Sequence, residues 1–178
     1  MEDQRTRFET EVLPYLDTAY RFALWLSRSR ADAEDVVQEA MLRAYRGFAG
    51  LRGADAKSWL LSIVRHCHAT ARTRQLRHQT RWLDPYLSQP LSSGDAPDPE
   101  KEAVRADDSR ALAQLVWRLP QEQREVLMLR EIEELSYRDI AEVTGTPIGT
   151  LMSRLARART ALKHQWQQEQ RGERHALR

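Results

Sequence analysis

Proline is concentrated in one short stretch of this chain, and its position divides the chain into two parts. Four of the seven prolines lie between residues 84 and 107, together with three serines and a glycine: Pro85, Pro90, Pro97 and Pro99. Proline lacks an amide hydrogen and fixes φ, so a segment this rich in proline sustains neither helix nor sheet. We therefore predict a linker at 84–107 between folded blocks at 5–83 and 108–168, with a frayed tail after residue 168.

Both blocks carry the periodicity of amphipathic helices, which predicts an all-α chain of two small helical domains. The first block predicts a three-helix bundle: one helix that ends near Ser29, one over 31–48, and one that begins near Asp55. The predicted inward residues of the first two helices are Phe8, Val12, Tyr15, Leu16, Ala19, Phe22, Ala23, Leu26, Val37, Met41, Ala44 and Phe48. Those of the third helix are Trp59, Leu60, Ile63, Val64, Cys67 and Ala71.

Composition excludes several classes of protein. The longest apolar run is only a few residues, too short for a membrane span of about 20. The polar N-terminus lacks the apolar stretch of a signal peptide, and a single cysteine permits neither an internal disulfide nor a four-thiolate zinc site. We expect a cytoplasmic protein with no cofactor and no small-molecule substrate. It is not an enzyme, because no glycine-rich phosphate loop and no nucleophile–base pattern is present.

Charge is distributed unevenly along the chain, although the net charge is only +2. Residues 51–84 carry seven basic and two acidic groups, and 109–178 carry twelve and nine. The stretch between them is acidic, and 143–168 contains no acidic residue. Two basic patches with an acidic spacer are typical of two contacts on one polyanion. Solvated helix faces are the alternative, which charge alone leaves open.

The second block predicts two helices joined by a short turn. Ser136 is placed to cap the first helix by accepting a hydrogen bond from the amide of Asp139. Gly145 can adopt the left-handed conformation that ends this helix. Thr146 then caps a second helix, with Pro147 at its first position, where the missing amide hydrogen costs nothing. This pattern predicts a helix-turn-helix.

The second helix of this helix-turn-helix (136–155) separates into two faces when it is wound at 100° per residue. The inward stripe is Ile148, Leu151, Leu155, Ala158 and Leu162. The outward face is Gly149, Thr150, Ser153, Ala156, Arg157 and Thr160, flanked by Arg154 on one edge and by Met152, Arg159 and Lys163 on the other. Arginine reads guanine with two hydrogen bonds, and hydroxyls bond base edges or phosphates. We predict that this face reads duplex DNA; an ordinary exposed helix is the alternative.

Two segments of the chain resemble a known family. The segment LPQEQREVLMLREIEELSYRDIAEVTGTPIGTLMSRLARARTAL closely resembles region four of the bacterial RNA polymerase sigma factors, and more narrowly of the extracytoplasmic-function subfamily. The segments DAEDVVQEAMLRAYRGF and SWLLSIVRHCHATARTRQ resemble region two of the same subfamily. The two matches lie in the family's order, cover most of the chain, and are separated by a variable linker.

This resemblance implies a promoter-specificity subunit and assigns roles to residues. Core RNA polymerase, through its clamp helices and flap, would be the main protein partner, and the docking residues would be Asp35, Gln38, Glu39 and Leu42. The residues that capture the melted −10 element would be Leu51, Arg52, Gly53, Lys57, Arg65, His66, Thr70 and Arg72. The residues that read the −35 element would be Thr150, Met152, Ser153, Arg154, Ala156, Arg157 and Thr160. The resemblance also implies an anti-sigma factor as a partner.

The chain departs from the family at several of these positions. His66 stands where the family usually has asparagine, and Thr70 stands near a position that is usually polar or acidic. Met152 replaces a common basic residue, and Ala156 stands where a larger side chain is frequent. The promoter sequence is therefore not predictable from the family's typical one.

Other interpretations compete with these assignments. His66, Cys67 and His68 suggest a metal site, but consecutive helical residues point about 100° apart and cannot converge on one ion, so Cys67 is predicted to lie in the core. A stand-alone helix-turn-helix regulator that binds DNA as a dimer would need a second apolar face, which the sequence does not offer. A sigma mimic that only sequesters an anti-sigma factor would lack basic DNA faces, and both are present.

Overall fold

The computed structural model describes residues 2–51, 55–81 and 105–176, with side chains for 4–51, 55–76 and 111–169. These residues form two compact units, and within these ranges the chain is helical without strands, which confirms the predicted all-α class. The helices of the first unit are α1 (Glu2–Glu11), α2 (Leu16–Ser27), α3 (Arg30–Gly47) and α4 (Ala56–Arg81). Those of the second are α5 (Arg105–Arg118), α6 (Gln121–Leu127), α7 (Tyr137–Thr144) and α8 (Ile148–Ala176). None of the helices in these ranges has the length and apolar character needed to cross a membrane.

The predicted linker lies mostly outside the described residues. Its last three residues are an exception, because α5 begins at Arg105 and residues 105–107 are therefore helical. The prolines that define the linker all precede this point, so nothing in the backbone chemistry of 105–107 opposes a helix. The boundaries of the two domains otherwise stay predictions.

The prediction of one continuous helix up to Ser29 is wrong, because Pro14 interrupts it. The first helix α1 ends at Glu11, a 3₁₀ turn covers Leu13–Tyr15, and α2 begins at Leu16. Proline has no amide hydrogen to donate and its ring crowds the preceding turn, so the α-helical ladder cannot continue through it. The break also reorients the chain: Leu16, which was predicted to face inward, is 38% exposed.

The first unit is built around α2, α3 and α4, which all contact one another. Its α2–α3 turn is made locally: Arg28 takes the left-handed conformation that ends α2, and the Ser29 hydroxyl accepts a hydrogen bond from the Asp32 amide at 3.3 Å. Apolar side chains fill the space between the helices, and Phe8 packs edge-to-face on Tyr45 and Phe48 with ring centroids 5.2 and 5.4 Å apart. Aromatic contacts of this kind add to the stabilisation from burial.

The buried stripe of α4 is rotated relative to the prediction. Leu60, Val64 and Cys67 are buried as predicted, but Leu61 and His68 are buried as well. The other three predicted positions are half-buried or exposed: Trp59, Ile63 and Ala71. The helix contacts α2 and α3 at the same time. Its buried surface therefore faces the groove between two partners, which a stripe calculated for one isolated helix does not anticipate.

The second unit is held together by α8, which packs against both α5 and α6. A short π-helical segment, Met128–Ile132, continues α6. The predicted frayed tail is wrong, because α8 continues to Ala176. No proline follows Pro147 to stop the helix, and the Arg118 guanidinium on α5 pairs with Glu169 at 2.8 Å.

A buried arginine closes the turn between α5 and α6. Arg124 is 3% exposed, and its guanidinium donates hydrogen bonds to the carbonyl oxygens of Leu119 at 3.1 Å and Trp117 at 3.4 Å. It also lies 5.0 Å from the Trp117 ring centroid. A cation at the C-terminal end of a helix satisfies carbonyls that have no partner within the helix. Arg124 therefore fixes the direction in which the chain leaves α5.

Candidate nucleic-acid interface

The turn between α7 and α8 has the predicted geometry. The Ser136 hydroxyl oxygen accepts from the Asp139 amide at 3.1 Å, and the Ser136 hydroxyl donates back to the Asp139 carboxylate at 2.6 Å. Gly145 adopts φ +62°, and the amide of Thr146 donates to the Ala141 carbonyl at 3.3 Å. This six-to-one hydrogen bond with a left-handed glycine is the Schellman ending of a helix. The caps at Ser136 and Gly145 are thereby confirmed.

The start of α8 lies one residue later than predicted. The assigned helix begins at Ile148, and the Pro147 carbonyl accepts from the Leu151 amide at 3.1 Å. The hydroxyl of Thr146 accepts from the Arg154 guanidinium at 3.4 Å. The predicted capping role of Thr146 stays a prediction.

The two faces of α8 are mostly arranged as predicted. Leu151, Leu155 and Ala158 are buried, and Leu162 is half-buried. All six residues of the outward face are exposed: Gly149, Thr150, Ser153, Ala156, Arg157 and Thr160. The prediction for Ile148 is wrong, since it is 45% exposed. It is the first residue of the helix, and because helical side chains lean toward the helix N-terminus, no preceding turn of α8 lies beneath its side chain.

The three arginines in the N-terminal half of α8 have different surroundings. Arg154 is only one-fifth exposed, and it pairs with Glu122 of α6 at 2.6 Å. Arg159 pairs with Glu131 of the π-helical segment, and this hydrogen bond, followed by the Coulombic attraction, raises the pKa of Arg159. No local sequence signal could have identified these carboxylates, because the pairs join distant parts of the chain.

Arg157 is positioned by its own helix. Its Nε donates to the Ser153 carbonyl at 3.3 Å, and its Nη2 donates to the Ser153 hydroxyl oxygen at 3.1 Å. The Ser153 hydroxyl in turn donates to the Thr150 carbonyl at 3.0 Å. The guanidinium therefore lies back along the helix toward its N-terminal end. In a helix-turn-helix, this end of the second helix approaches the base edges.

The residues predicted for the −10 element are not brought onto one face. Lys57, Arg65 and Arg72 follow one line along α4 at winding angles that differ by less than a quarter of a turn, on the side that also carries the buried Leu61 and His68. His66 and Thr70 lie on the opposite side, where the Thr70 hydroxyl donates to the His66 carbonyl at 2.9 Å.

Between α3 and α4 the structure describes only part of the predicted −10 segment. A 3₁₀ turn covers Phe48–Gly50, and the amide of Leu51, which is half-buried, donates to the Phe48 carbonyl at 2.9 Å. Arg52 and Gly53 lie outside the described residues, so their predicted role is untested. Asp55 caps α4, accepting from the amide and hydroxyl of Ser58 at 2.9 and 2.7 Å.

The predicted docking residues share one exposed face of α3. Asp35, Gln38, Glu39 and Leu42 are all exposed, and their spacing places them on neighbouring turns. Leu42 is 49% exposed, so this face combines acidic and amide groups with one large apolar side chain. Glu39 accepts from Arg43 Nε at 2.7 Å.

The cysteine lies in the core, as predicted. Cys67 is 3% exposed, and burial raises the pKa of its thiol. Its neighbour His66 is exposed. Within the described ranges, no three His, Cys, Asp or Glu side chains are grouped as metal ligands.

Comparison with known proteins finds the same two regions. The family model described as Sigma-70 region 2 matches residues 12–79, and the one described as Sigma-70, region 4 matches residues 109–162. The RNA polymerase sigma-H factor of Pseudomonas aeruginosa is 32% identical, over 87% of this chain and 83% of its own. The ECF RNA polymerase sigma-E factor of Escherichia coli K12 is 34% identical, over 76% of this chain and 74% of its own.

A solved structure shows the same likeness. It is the sigma factor RpoE in complex with the anti-sigma factor NepR from Bartonella quintana, and its sigma chain is 28% identical with a TM-score of 0.70. The match covers 90% of this chain and 96% of that chain. A stand-alone helix-turn-helix regulator would explain the second matched region but leave the first without a role. The chain belongs to the sigma-70 family of RNA polymerase sigma factors, within its extracytoplasmic-function group.

Proposed function

We propose that this sigma factor directs promoter-specific initiation through three separate surfaces. The exposed face of α3 docks on core polymerase, the basic line of α4 and the loop before it hold the melted −10 strand, and α8 reads the −35 element as duplex DNA. The protein acts by binding; the bond-forming chemistry belongs to the polymerase.

The outward face of α8 is the single observation that carries this proposal. All six of its residues are exposed, and residues 143–168 contain no acidic side chain that would repel phosphate. Arg157 is held toward the N-terminal end of the helix by Ser153, where it can read a guanine edge with two hydrogen bonds. The hydroxyls of Ser153 and Thr160 each donate to their own helix, so their oxygens are oriented to accept.

The −10 surface is supported by charge and by position. Extruded bases need stacking surface and nearby cations. Lys57, Arg65 and Arg72 supply the cations along one edge of α4, and Leu51 supplies apolar surface at the loop. We assign Arg52 and Gly53 to this surface as well, because the resemblance to region two of the family implies it. His66 and Thr70, on the other side of the helix, would contact a different part of the strand.

The α3 face supports docking because its charge is opposite to that of the DNA surfaces. Asp35 and Glu39 would repel promoter phosphate but suit a basic surface on a protein partner. Each DNA contact taken alone is small. Docking on polymerase would fix both contacts relative to the promoter, so the second forms at a high effective concentration.

Regulation by an anti-sigma factor follows from the same geometry. The related RpoE was solved in complex with the anti-sigma factor NepR. We propose that a protein of this kind covers the α3 face or the DNA faces of this chain and prevents their use.

The test is a pull-down of bacterial core RNA polymerase with the purified chain, followed by run-off transcription on genomic promoter fragments. We expect stable docking and transcripts that start at a defined set of promoters. Retained duplex binding without polymerase docking would instead support the stand-alone regulator.

Two substitutions separate docking from promoter reading. Asp35→Lys should reduce polymerase affinity, while Asp17→Lys serves as its control because it makes the same change of charge at an exposed position on α2, outside the docking face. If both variants dock like the wild type, the assigned docking face is wrong.

Arg157→Ala should leave docking intact and relax the base preference at one position of the −35 element. The expected loss is roughly 1–3 kcal/mol of discrimination. Lys163→Ala, which removes a positive charge farther along the same helix, should weaken binding without changing the preferred base.

A further inference from the structure

An exposed row of apolar side chains runs along one edge of α8, and the proposed function assigns these side chains no specific contact. It consists of Ile148, Met152 and Ala156, spaced four residues apart, and we call it the apolar row. Met152 is 53% exposed and Ile148 is 45% exposed; among the side chains described for α8, they are the exposed large hydrophobic residues. They occupy the first two turns of the helix, the part that a helix-turn-helix brings to the base edges.

The opposite edge of the same face is polar. Thr150 and Arg157 lie there, and Ser153 lies between the two edges, with its hydroxyl bonded to Arg157. Two basic residues share the winding angles of the apolar row: Arg159, which is paired with Glu131, and Lys163, which lies one turn farther toward the C-terminus. The N-terminal half of this edge therefore presents hydrocarbon, while hydrogen-bonding groups are concentrated on the other edge.

The surface between the two edges is open. A Cβ added at Gly149 would meet no atom within 4 Å. Close packing within the described domain therefore does not require glycine at this position. It leaves a shallow surface beside Met152 over which a bulky partner can approach the helix backbone closely.

The chemistry of the major groove offers one apolar group to such a row. The base edges in the groove present hydrogen-bond donors and acceptors, and the 5-methyl group of thymine is their apolar feature. Apolar side chains at a base-reading position therefore favour thymine, whereas arginine on the other edge favours guanine. A protein partner at this position would compete with the proposed DNA contact of Arg157, Ser153 and Gly149.

We propose that the apolar row reads thymine methyl groups in the major groove of the −35 element, with Met152 as the principal specificity-determining residue. This inference rests on the proposed function of α8. It predicts a −35 element with thymine on one strand beside a guanine read by Arg157. Met152, which replaces a basic residue common in the family, would then change the preferred promoter sequence and not only remove a contact to phosphate.

The experiment uses the full chain with core polymerase. Promoters selected from genomic fragments give the −35 element, and the same promoter duplexes are then made with deoxyuridine in place of each −35 thymine in turn, which removes only the methyl group. We expect one or two positions at which this replacement weakens binding roughly fourfold per methyl. In Met152→Ala the penalty should disappear at the position that Met152 contacts. Leu112→Ala, which truncates an exposed leucine on α5, should keep the full penalty.

The outcomes separate the inference from the proposed function. If a −35 element is selected but no uracil replacement matters, or if the penalty is unchanged in Met152→Ala, the apolar row does not read methyl groups and the sigma-factor function stands. A selected element without thymine on either strand also overturns the inference. If no −35 element is selected at all, the proposed function of α8 fails, and the inference fails with it.

Discussion

Both units of this chain bury an apolar core, but the described ion pairs of the second unit also run between helices. In the first unit, α2, α3 and α4 meet around apolar and aromatic side chains, with Phe22 and Phe48 almost completely buried. In the second unit, ion pairs join α8 to the helices around it: Arg118 to Glu169, Arg154 to Glu122, and Arg159 to Glu131. The first unit also has ion pairs, such as Arg43 with Glu39, but this pair links residues within one helix.

This difference corresponds to what each unit has to do. A helix that enters the major groove carries several arginines, and an arginine that is not reading DNA can be held by a carboxylate from the supporting helices. Arg154 and Arg159 are held in this way, while Arg157 is directed along its own helix by Ser153. We infer that apolar packing stabilises both units, and that ion pairs in addition orient the reading helix of the second.

The largest effect should come from removing a core aromatic of the first unit. Phe22 is 1% exposed, and Phe22→Ala should cost roughly 3–5 kcal/mol of the free energy of unfolding because it leaves a cavity. Alkylation of Cys67, the one cysteine of the chain, reports this unit alone. Its buried thiol should react much faster in the variant.

Leu16→Ala is the matched control on the same helix, since Leu16 is 38% exposed and its truncation should change the free energy of unfolding by about 0.5 kcal/mol or less. Equal losses of unfolding free energy in the two variants would show that the burial of Phe22 does not determine its contribution to stability.

The pair Arg154–Glu122 should contribute a coupling energy of about 1 kcal/mol, the upper end for partly exposed pairs. A double-mutant cycle with Arg154→Met and Glu122→Gln measures it, and raising the salt to about 1 M should reduce it. The pair Arg43–Glu39, within one helix, should show a smaller coupling. If the two coupling energies are equal, an ion pair between helices of the second unit contributes no more than a pair within one helix, and the contrast is wrong.

Removing the cap of α4 should have an effect of similar or smaller size. Asp55→Ala should cost about 1 kcal/mol at neutral pH, because the amide and hydroxyl of Ser58 lose their acceptor. Asp55→Asn should retain most of this stability, since asparagine also caps helices well.

The same residue gives a pH dependence with a defined sign. Burial alone would raise the pKa of Asp55, but the hydrogen bonds from Ser58, together with the amide and the charge of Lys57, outweigh burial and hold the pKa below its ordinary value. The stabilisation is therefore complete above the unfolded pKa of about 3.9, and it is lost as the pH falls through the folded pKa. Acid titration of the unfolding free energy should show this loss in the wild type, and Asp55→Asn should lack it.

The smallest effect on stability, and a distinct one on binding, should come from Glu131→Gln. The pair with Arg159 is exposed, so the free energy of unfolding should stay within error. Release of Arg159 should add about one phosphate contact, and the slope of log K against log salt for promoter duplex should steepen by about one. Glu134→Gln, an exposed neighbouring glutamate, should leave the slope unchanged.

Local signals predicted the helix-turn-helix well because its parts are close in sequence. The cap of Ser136 on Asp139 and the left-handed Gly145 depend on hydrogen bonds that span three to five residues. The residue types at these positions were therefore enough to locate the two ends of α7. Pro14 is also a local signal, in this case for a helix break. The apolar periodicity continues on both sides of Pro14, and for this reason a single helix was predicted.

The sequence by itself therefore determined the helical class, the positions of the caps and the exposed outward face of α8. Tertiary structure decided which face of α4 is buried and which carboxylates hold Arg154 and Arg159. The physical reason is distance along the chain. Periodicity reports one helix against an unspecified core, whereas burial and ion pairing depend on the partners that packing brings together, and these lie far away in sequence.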